Sequence, residues 1–263
     1  MTGVVPLDDR GAALGDGLFE TLLVVRGEPL GEALHVDRLA RGCAVLGLPA
    51  PGRTAVRAAI VAAVWEAGLE QGRAAVRVSW SAGSGGRGLD RPAPPTPRLW
   101  ASAGPAPALG GTATLVTAAV RRNEGSPVSR LKSLSYLDSV LARAQARAAG
   151  ADEALMLNNA GEVACAAAAN LFWREGDRLM TPDLGCGVLD GVARGRLIER
   201  APRLGLSVET VRTPRAALDR AEAIFLTNSL IGVRPVIALD GRALRPDPLA
   251  EGLAALCSDL FEE

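Results

Sequence analysis

The chain has 263 residues, of which 48% are hydrophobic and 22% charged, and its formal net charge at pH 7 is zero. This length suits one large or two small domains with a sizeable core. A neutral chain with only 3% aromatic residues lacks the basic patch and the stacking platforms of a nucleic-acid-binding protein, so we expect no nucleic-acid partner.

Cysteine usage and hydropathy indicate the cellular compartment in which the protein is expected. The four cysteines form no CxxC pair, and they are Cys43, Cys165, Cys186 and Cys257. With a single histidine in the chain, a metal site is not expected, and the thiols are predicted to be reduced. The first ten residues contain no apolar signal-peptide core, and the longest apolar run, 58–65, is too short to span a bilayer. We therefore predict a cytoplasmic protein without a membrane partner.

The first third of the chain predicts a hairpin followed by two helices. A Gly-Asp-Gly turn at 15–17 precedes a β-rich run over Leu18–Val25. Apolar spacing predicts a helix over His35–Leu48, with Arg38 on the same face as His35. A second helix is predicted over Thr54–Gly68, with Thr54 as its N-cap.

Strands then alternate with loops up to a candidate domain boundary. Strands are predicted over Ala74–Ser81, Arg98–Ala103 and Thr112–Ala119. Between the first two lies a glycine-rich loop at 83–88, whose backbone N–H groups and Arg87 could hold an anion. It lacks the Gly-Lys-Ser/Thr of a P-loop, so alone it is weak evidence for a site. The polar stretch at 121–126 is the predicted linker.

Lys132 is the only lysine in the chain, and it stands near the only tyrosine, Tyr136. Coding bias can replace surface lysines by arginines, since both are solvated cations. It cannot replace an amine nucleophile, because guanidinium does not deprotonate or form a Schiff base. The alternatives are a covalent catalytic lysine and a surface lysine left by chance. Apolar spacing places it at the start of a helix running to about Ala149.

The second half predicts short strands joined by tight turns. Two features are informative. The side chains of Ala166–Ala169 are all small, so another group can approach the backbone closely there, and a helix is predicted to begin at Val192 after a glycine turn. A helix start preceded by glycines is a ready anion site, although many bind nothing. The other predicted elements are strands at 152–157, 171–173, 178–181, 208–211, 223–226 and 234–237, a strand beginning at Glu162, one or two helical turns at 214–221 and a closing helix at 249–261.

Together these motifs resemble the class IV aminotransferase family, the fold-type-IV pyridoxal phosphate enzymes. The resemblance rests on segments in the family's order: 15–21 (GDGLFET), 35–39 (HVDRL), 85–88 (GGRG), the lysine segment, 169–172 (ANLF), 187–191 (GVLDG) and 227–230 (TNSL). Among family members, the pattern looks most like that of 4-amino-4-deoxychorismate lyases.

The resemblance implies a two-domain α/β (α+β) fold. A small N-terminal α/β domain would span 1–120 and a larger C-terminal pseudo-barrel α/β domain 127–263, joined by the linker at 121–126. It also implies a homodimer with a small-molecule amino substrate and pyridoxal 5′-phosphate as cofactor. The implied activity is release of 4-aminobenzoate and pyruvate in folate synthesis, with an amino-acid aminotransferase or a cofactor-binding homologue of little turnover as alternatives.

The resemblance also implies residue roles. Lys132 matches the catalytic lysine that binds the cofactor and shuttles the α-proton, and Arg38 matches the phosphate-binding arginine. Arg87 matches a substrate carboxylate position. The other implied cofactor residues are Cys165, Asn170, Val192, Ala193, Asn228 and Ser229.

Two positions depart from the family pattern. Cys165 stands where most members carry the glutamate that pairs with the pyridine nitrogen, and Glu162 is out of step with it on a strand. A thiol is neutral at pH 7 and supports a protonated ring nitrogen less well than a carboxylate does. This favours elimination over transamination. Leu14 replaces an aromatic residue before the Gly-Asp-Gly turn.

Overall fold

The computed structural model describes residues 5–85 and 88–258, which fall into two compact units. Unit 1 consists of Met1–Pro107 and Leu131–Tyr136, and unit 2 consists of Ala108–Arg130 and Leu137–Glu263. The chain therefore leaves unit 1, returns to it for six residues and leaves it again. The expected mixed α/β class is confirmed.

Unit 1 is built on a four-stranded antiparallel sheet in the order β2-β1-β3-β4. Its strands are β1 (Gly17–Val25), β2 (Glu28–Pro29), β3 (Arg73–Ser81) and β4 (Arg98–Pro105). Helices α2 (Glu32–Leu46) and α3 (Arg53–Glu66) pack on one face, where their apolar residues meet the buried side chains of Val24 and Val76. A short helix, α1 (Arg10–Leu14), precedes β1.

The segment 131–136 belongs to unit 1 because it is hydrogen-bonded to the start of β1. The amide of Phe19 donates to the carbonyl of Lys132 at 2.8 Å, and the amide of Leu134 donates to the carbonyl of Gly17 at 2.9 Å. Gly17 must be glycine, since a Cβ there would lie 2.5 Å from the carbonyl oxygen of Trp80. The lack of a side chain at Gly17 therefore lets the backbone of β3 pack closely against it on one side and the segment 131–136 on the other.

Unit 2 contains a mixed nine-stranded sheet in the order β10-β9-β8-β11-β12-β5-β6-β7, with β13 paired to β12. The strands are β5 (Ala113–Arg122), β6 (Glu153–Asn158), β7 (Val163–Ala166), β8 (Asn170–Glu175), β9 (Arg178–Pro182), β10 (Ser207–Val211), β11 (Ala223–Asn228), β12 (Gly232–Leu239) and β13 (Arg242–Ala243). Helix α4 (Leu137–Ala148) packs on β5 and β6, α5 (Val192–Arg200) on β11, and α6 (Leu249–Ser258) on β12.

Several predicted boundaries differ from those observed. Strand β5 pairs with β6 and β12 of unit 2, so the units divide after Pro107 rather than at 121–126. Thr54 lies inside the first turn of α3, and the N-cap is Gly52, so the predicted cap is wrong. The helix expected around the lysine begins only at Leu137, because the preceding residues pair with β1 instead.

None of the helices within the described ranges has the length and apolar character needed to cross a membrane.

Candidate active site

The amine of Lys132 lies in an aromatic corner of unit 1. Its Nζ atom is 4.2 Å from the ring centroid of Phe19 and 5.2 Å from that of Tyr136. The two rings meet edge to face with centroids 5.1 Å apart. The backbone of Lys132 is hydrogen-bonded to β1, and β1 also carries Phe19. The same strand therefore positions both the lysine and the ring that its amine contacts.

The electrostatic setting makes this amine easier to deprotonate. The pKa of Lys132 is lowered to about 8, chiefly by burial, with Glu20 opposing the shift and the charges of Arg38 and Arg77 adding to it. A lysine with a pKa near 8 is partly neutral at physiological pH, as an amine nucleophile must be. The covalent interpretation of the sole lysine therefore has a physical basis.

Glu20 is a buried carboxylate that binds two residues of α2. Its Oε1 and Oε2 atoms accept hydrogen bonds from Nε and Nη2 of Arg38 at 2.8 and 2.5 Å, and Oε2 lies 2.7 Å from Nδ1 of His35. Burial alone would raise the pKa of Glu20, but Arg38 and His35 outweigh it and bring the pKa to about 2. The carboxylate is therefore ionised at neutral pH and orients the guanidinium of Arg38.

Arg38 was expected to bind phosphate, and the structure places it in unit 1 with Lys132. It does not stand free, since its Nε and Nη2 atoms are held by Glu20. Glu20 therefore fixes the orientation of the guanidinium. The role of Glu20 was missed from the sequence, although it lies within the Gly-Asp-Gly-Leu-Phe-Glu-Thr motif.

In unit 2, Asn170 holds the loop that leads into α5. Its Nδ2 donates to the carbonyl of Leu189 at 2.9 Å. Its Oδ1 lies only 2.0 Å from where a Cβ of Gly191 would stand, so only glycine fits beside it. Gly191 is also the N-cap of α5 and provides no side-chain cap. The amides at the start of the helix, including those of Val192 and Ala193, therefore have no side-chain cap and suit an anion.

Thr227 adds a donor that the sequence reading missed. It lies opposite Asn170 in the β8–β11 ladder, and opposite residues in such a ladder share a face. Phe225, two residues earlier on that face, packs with Ala193 of α5. The hydroxyl of Thr227 is buried and has no hydrogen-bond partner among the described residues. The hydroxyl is therefore a candidate contact for a polar ligand on the face that carries α5.

Asn228 and Ser229 are the expected phosphate pair; Asn228 is the last residue of β11, and Ser229 begins the turn that follows. The Asn228 side chain donates to the carbonyl of Ala168 at 3.0 Å and accepts from the amides of Leu230 and Ile231 at 2.9 and 3.0 Å. Asn228 therefore shapes the turn and joins it to the small-residue segment 166–169. Ser229 is half-buried beside it.

Cys165 lies in β7 opposite Met156, in an apolar cluster that also contains Cys186. Burial raises the pKa of the Cys165 thiol, against the effect of the Arg122 charge. The thiol is therefore neutral at pH 7. Glu162 does not replace the missing carboxylate, because it pairs with Arg212 at 3.0 Å.

Two further predictions concern the rest of the site. Arg87 lies outside the described residues, so its proposed carboxylate contact stays a prediction. Among the described residues, no group of three or more His, Cys, Asp or Glu side chains could hold a metal ion.

Comparison with known proteins places this geometry in context. The family model for class IV aminotransferases matches residues 17–239. The aminodeoxychorismate lyase of Bacillus subtilis is 29% identical over 238 residues, covering 88% of this chain and 80% of that protein.

Two solved structures share the fold over nearly the whole chain. One, from Legionella pneumophila, is provisionally described as a 4-amino-4-deoxychorismate lyase. It has a TM-score of 0.90 and 30% identity, covering 99% of this chain and 96% of that one. The other is a hypothetical aminotransferase from Mycobacterium tuberculosis in its α-ketoglutarate and PMP bound form. It has a TM-score of 0.86 and 25% identity, covering 99% and 94%.

Proposed function

The chain belongs to the class IV aminotransferase family and is a pyridoxal phosphate-dependent enzyme, and from this premise we propose that it is a lyase that converts 4-amino-4-deoxychorismate into 4-aminobenzoate and pyruvate. This reaction is a step of folate synthesis. The observation that carries the choice of lyase is the neutral, buried thiol of Cys165 at the position expected to face the pyridine nitrogen.

The residues of unit 2 fit the phosphate of the cofactor. A phosphate needs several donors and a positive local potential, and the uncapped start of α5 provides both. The unpartnered hydroxyl of Thr227 provides a further donor on the same side of the sheet. We assign phosphate binding in unit 2 to Val192, Ala193 and Thr227, with Asn170 and Asn228 fixing the backbone around them.

The residues of unit 1 fit the covalent link and the proton transfer. Pyridoxal phosphate, when bound, supplies an electron sink next to the substrate amine. Lys132 would hold the cofactor through its amine and would accept the proton from the carbon that carries the substrate amine. Its lowered pKa keeps a neutral fraction available for both tasks. Glu20 fixes the orientation of Arg38, for which we propose the phosphate-binding role that the family resemblance implies.

We propose that Cys165 favours elimination over transamination once that proton has been removed. A carboxylate at position 165 would support a protonated ring nitrogen, on which transamination would depend more than elimination would. Elimination expels enolpyruvate as the proton departs, and aromatisation of the six-membered ring drives it. A neutral thiol is sufficient for elimination and supports transamination poorly.

An aminotransferase remains the second candidate, because the Mycobacterium tuberculosis structure with α-ketoglutarate and PMP resembles this chain over 99% of its length. One assay separates the two. Purified protein is given 4-amino-4-deoxychorismate and monitored for 4-aminobenzoate, in parallel with D- and L-amino acids and 2-oxoacids monitored for amino transfer.

We expect 4-aminobenzoate formation and little amino transfer. Lys132→Arg is the inactive control, because it keeps the charge but cannot bond to the cofactor. Amino transfer without 4-aminobenzoate would replace the lyase by the aminotransferase. Cofactor binding with neither product would leave a cofactor-binding homologue.

We also propose that the protein works as a cytoplasmic homodimer. Helix α4 exposes Leu137, Val140 and Leu141, which are 65%, 57% and 48% accessible and spaced to form one stripe. The buried, unpaired thiols Cys43, Cys165 and Cys186 agree with a reducing compartment. Sedimentation of the wild type against Leu141→Arg tests the dimer, which the substitution should weaken.

A further inference from the structure

Arg122 is a cation that the proposed reaction has not yet used. It is the last residue of β5, and its side chain is half-buried. Its Nε donates to the carbonyl of Gly187 at 3.2 Å, and its Nη2 donates to the carbonyl of Ser129. Both acceptors are neutral, and across 5–85 and 88–258 Arg122 has no carboxylate partner. The guanidinium is therefore held in place without being neutralised, and it cannot lose its proton.

The register of the sheet puts Arg122 on the same face as Cys165. Arg122 lies opposite Asn158 of β6, and Cys165 of β7 lies opposite Met156. Asn158 and Met156 are two residues apart on one strand, so their side chains share a face, and so do those of the residues opposite them. From the spacing of strands and residues, the Cα atoms of Arg122 and Cys165 are roughly 12 Å apart.

The loop before α5 connects Arg122 to the surroundings of Cys165. Gly187 of this loop accepts the Arg122 hydrogen bond, and a Cβ on Gly187 would lie 3.6 Å from that of Arg122. Its neighbours Cys186 and Val188 are buried in the apolar cluster that contains Cys165. The guanidinium therefore lies at the rim of the cluster that surrounds the thiol. In agreement, burial raises the pKa of Cys165, and the Arg122 charge opposes that rise.

The carboxylates near Arg122 and Cys165 do not offset this charge, because each is engaged elsewhere. They are Glu124 with the amides of Asn159 and Ala160, Glu153 with Arg143 of α4, Glu162 with Arg212, and Asp183 with the amide of Gly185. Of these, Glu153 acts on the thiol with the opposite sign to Arg122 and more weakly. The fixed charges around Cys165 therefore favour a negative group over a positive one there.

We propose that this chain holds the ring nitrogen of its cofactor unprotonated, with Arg122 as the residue that keeps the proton off. The inference rests on the proposed function, in which Cys165 faces that nitrogen. A carboxylate there would favour a positive ring, whereas a neutral thiol backed by a fixed cation disfavours it. A protonated ring would also be a buried cation without a counter-ion, which is costly.

An unprotonated ring narrows the class of substrate. Pyridoxal phosphate draws electrons less strongly when its ring carries no positive charge. The chain then depends on substrates that supply driving force themselves, through a leaving group next to the reacting carbon and a product that becomes aromatic. Simple amino acids offer neither, so the feature that permits the lyase reaction disfavours amino transfer.

The ring nitrogen can be observed without turnover. Full-length protein is loaded with pyridoxal phosphate that carries nitrogen-15 in the ring, and the nitrogen resonance is followed as pH is varied. Protonated and unprotonated pyridine nitrogens resonate far apart, so each spectrum reports the protonation state directly. At pH 7 we expect an unprotonated nitrogen in the wild type and a protonated one in Cys165→Glu.

Three further variants test Arg122. Arg122→Met removes the charge and should raise the pKa of the ring nitrogen by roughly one pH unit. Arg122→Lys keeps the charge but cannot place two donors as the guanidinium does, so it should match the wild type and separate charge from position. Arg121→Met is the matched control, because Arg121 is exposed and lies opposite Leu157, on the other face of the sheet.

A protonated nitrogen in the wild type at pH 7 would overturn the proposal, as would an unprotonated one in Cys165→Glu. Equal nitrogen pKa values in Arg122→Met and Arg121→Met would overturn it, and so would equal values in Arg122→Met and Arg122→Lys. Should Cys165→Glu not fold, the arginine variants still decide the question.

The same measurements separate this inference from the proposed function. An unprotonated nitrogen without 4-aminobenzoate production rejects the function alone. Production of 4-aminobenzoate by an enzyme with a protonated nitrogen rejects this inference alone. A wild type that takes up no cofactor would overturn both.

Discussion

Lys132 brings a reactive amine into a partly buried setting, and this has a thermodynamic cost. The amine has a pKa of about 8 in the folded chain and 10.5 when unperturbed. Below pH 8 both states are protonated, and the folded state carries the full penalty of holding the cation. Between pH 8 and 10.5 the unfolded chain binds the extra proton, so stability rises with pH across that window.

Lys132→Met should therefore stabilise the cofactor-free protein. At 1.36 kcal/mol per pH unit, discounted for partial exposure, we expect a gain of about 1–3 kcal/mol at pH 7. Urea unfolding at pH 7 and pH 10 measures it, and the advantage should shrink at the higher pH. A constant advantage would show that the gain comes from packing rather than from charge.

The lowered pKa of Glu20 stabilises the folded protein, whereas the lowered pKa of Lys132 destabilises it. The Glu20 pKa of about 2 lies below the unperturbed 4.5, so its stabilising contribution is complete above pH 4.5 and is lost as pH falls towards 2. Glu20→Gln removes the buried carboxylate that pairs with Arg38 and should destabilise the protein by about 3 kcal/mol at pH 7. The difference between variant and wild type should narrow below pH 4.5.

The control for that experiment is Glu162→Gln, which removes a partly exposed pair with Arg212. We expect it to cost less than about 1 kcal/mol. Similar losses in the two variants would mean that Glu20 is no more important than an ordinary surface ion pair.

At the scale of elements, the start of α5 depends on one close contact. Gly191→Ala places a methyl group 2.0 Å from Oδ1 of Asn170 and should destabilise the protein by about 1–3 kcal/mol. Adding Asn170→Ala removes the clash, so the double variant should lose less than the sum of the singles. Gly195→Ala, which has open space and helical backbone, should be neutral or stabilising. If the losses in free energy of unfolding of the two single variants simply add in the double variant, the close contact between Gly191 and Asn170 is contradicted. Thermal or urea unfolding measures these losses.

The hydroxyl proposed to bind phosphate belongs to Thr227, the next-to-last residue of β11. Thr227→Val keeps the shape and removes an unpartnered hydroxyl, so the cofactor-free protein should be as stable as wild type or more so. Its affinity for pyridoxal phosphate, measured by absorbance titration, should fall about tenfold.

Thr181→Val is the matched control, because that buried hydroxyl donates to the carbonyl of Leu171 at 2.8 Å. It should lose stability and keep its affinity. The reverse pattern would remove Thr227 from the phosphate site.

Local patterns predicted most individual elements, because alternation and helical spacing are set by neighbouring residues. Strand β1 was placed within one residue of its start, and α5 begins at the predicted Val192. What the sequence could not supply was non-local pairing. Lys132 was expected at the start of a helix because Leu134 and Leu137 share a helical period. Instead, backbone bonds to β1, more than 100 residues earlier, hold it in an extended segment.

The same limit applies to the site. Lys132 stood out because it is the only lysine. Glu20 and Arg77 are ordinary charged residues in a sequence that contains many acidic residues and many arginines. Their importance follows from Phe19 and Arg38, which only the fold brings to them. Thr227 was hidden for a similar reason, since a hydroxyl is unpartnered only with respect to its surroundings.

For the whole molecule, the division into units predicts how the chain can be cut. A fragment ending at Pro107 contains the strands of the four-stranded sheet but lacks 131–136, which pairs with the start of β1. An unpaired strand edge promotes association, so we expect this fragment to aggregate. Joining 131–136 to it through a short Gly/Ser linker should increase the soluble fraction, measured by size-exclusion chromatography. Equal solubility of both fragments would show that the segment is dispensable for unit 1.

The return of 131–136 to β1 also sets an order of events on the ribosome. The first 107 residues emerge with the start of β1 still lacking its neighbour, and about 30 more residues must be made before the segment is complete. At ~5–20 residues per second this interval lasts roughly 1.5 to 6 seconds. The lysine and the strand that orients it therefore come together late in the synthesis of unit 1. A nascent chain stalled within this interval would expose an open β edge, where a chaperone that recognises extended segments could bind.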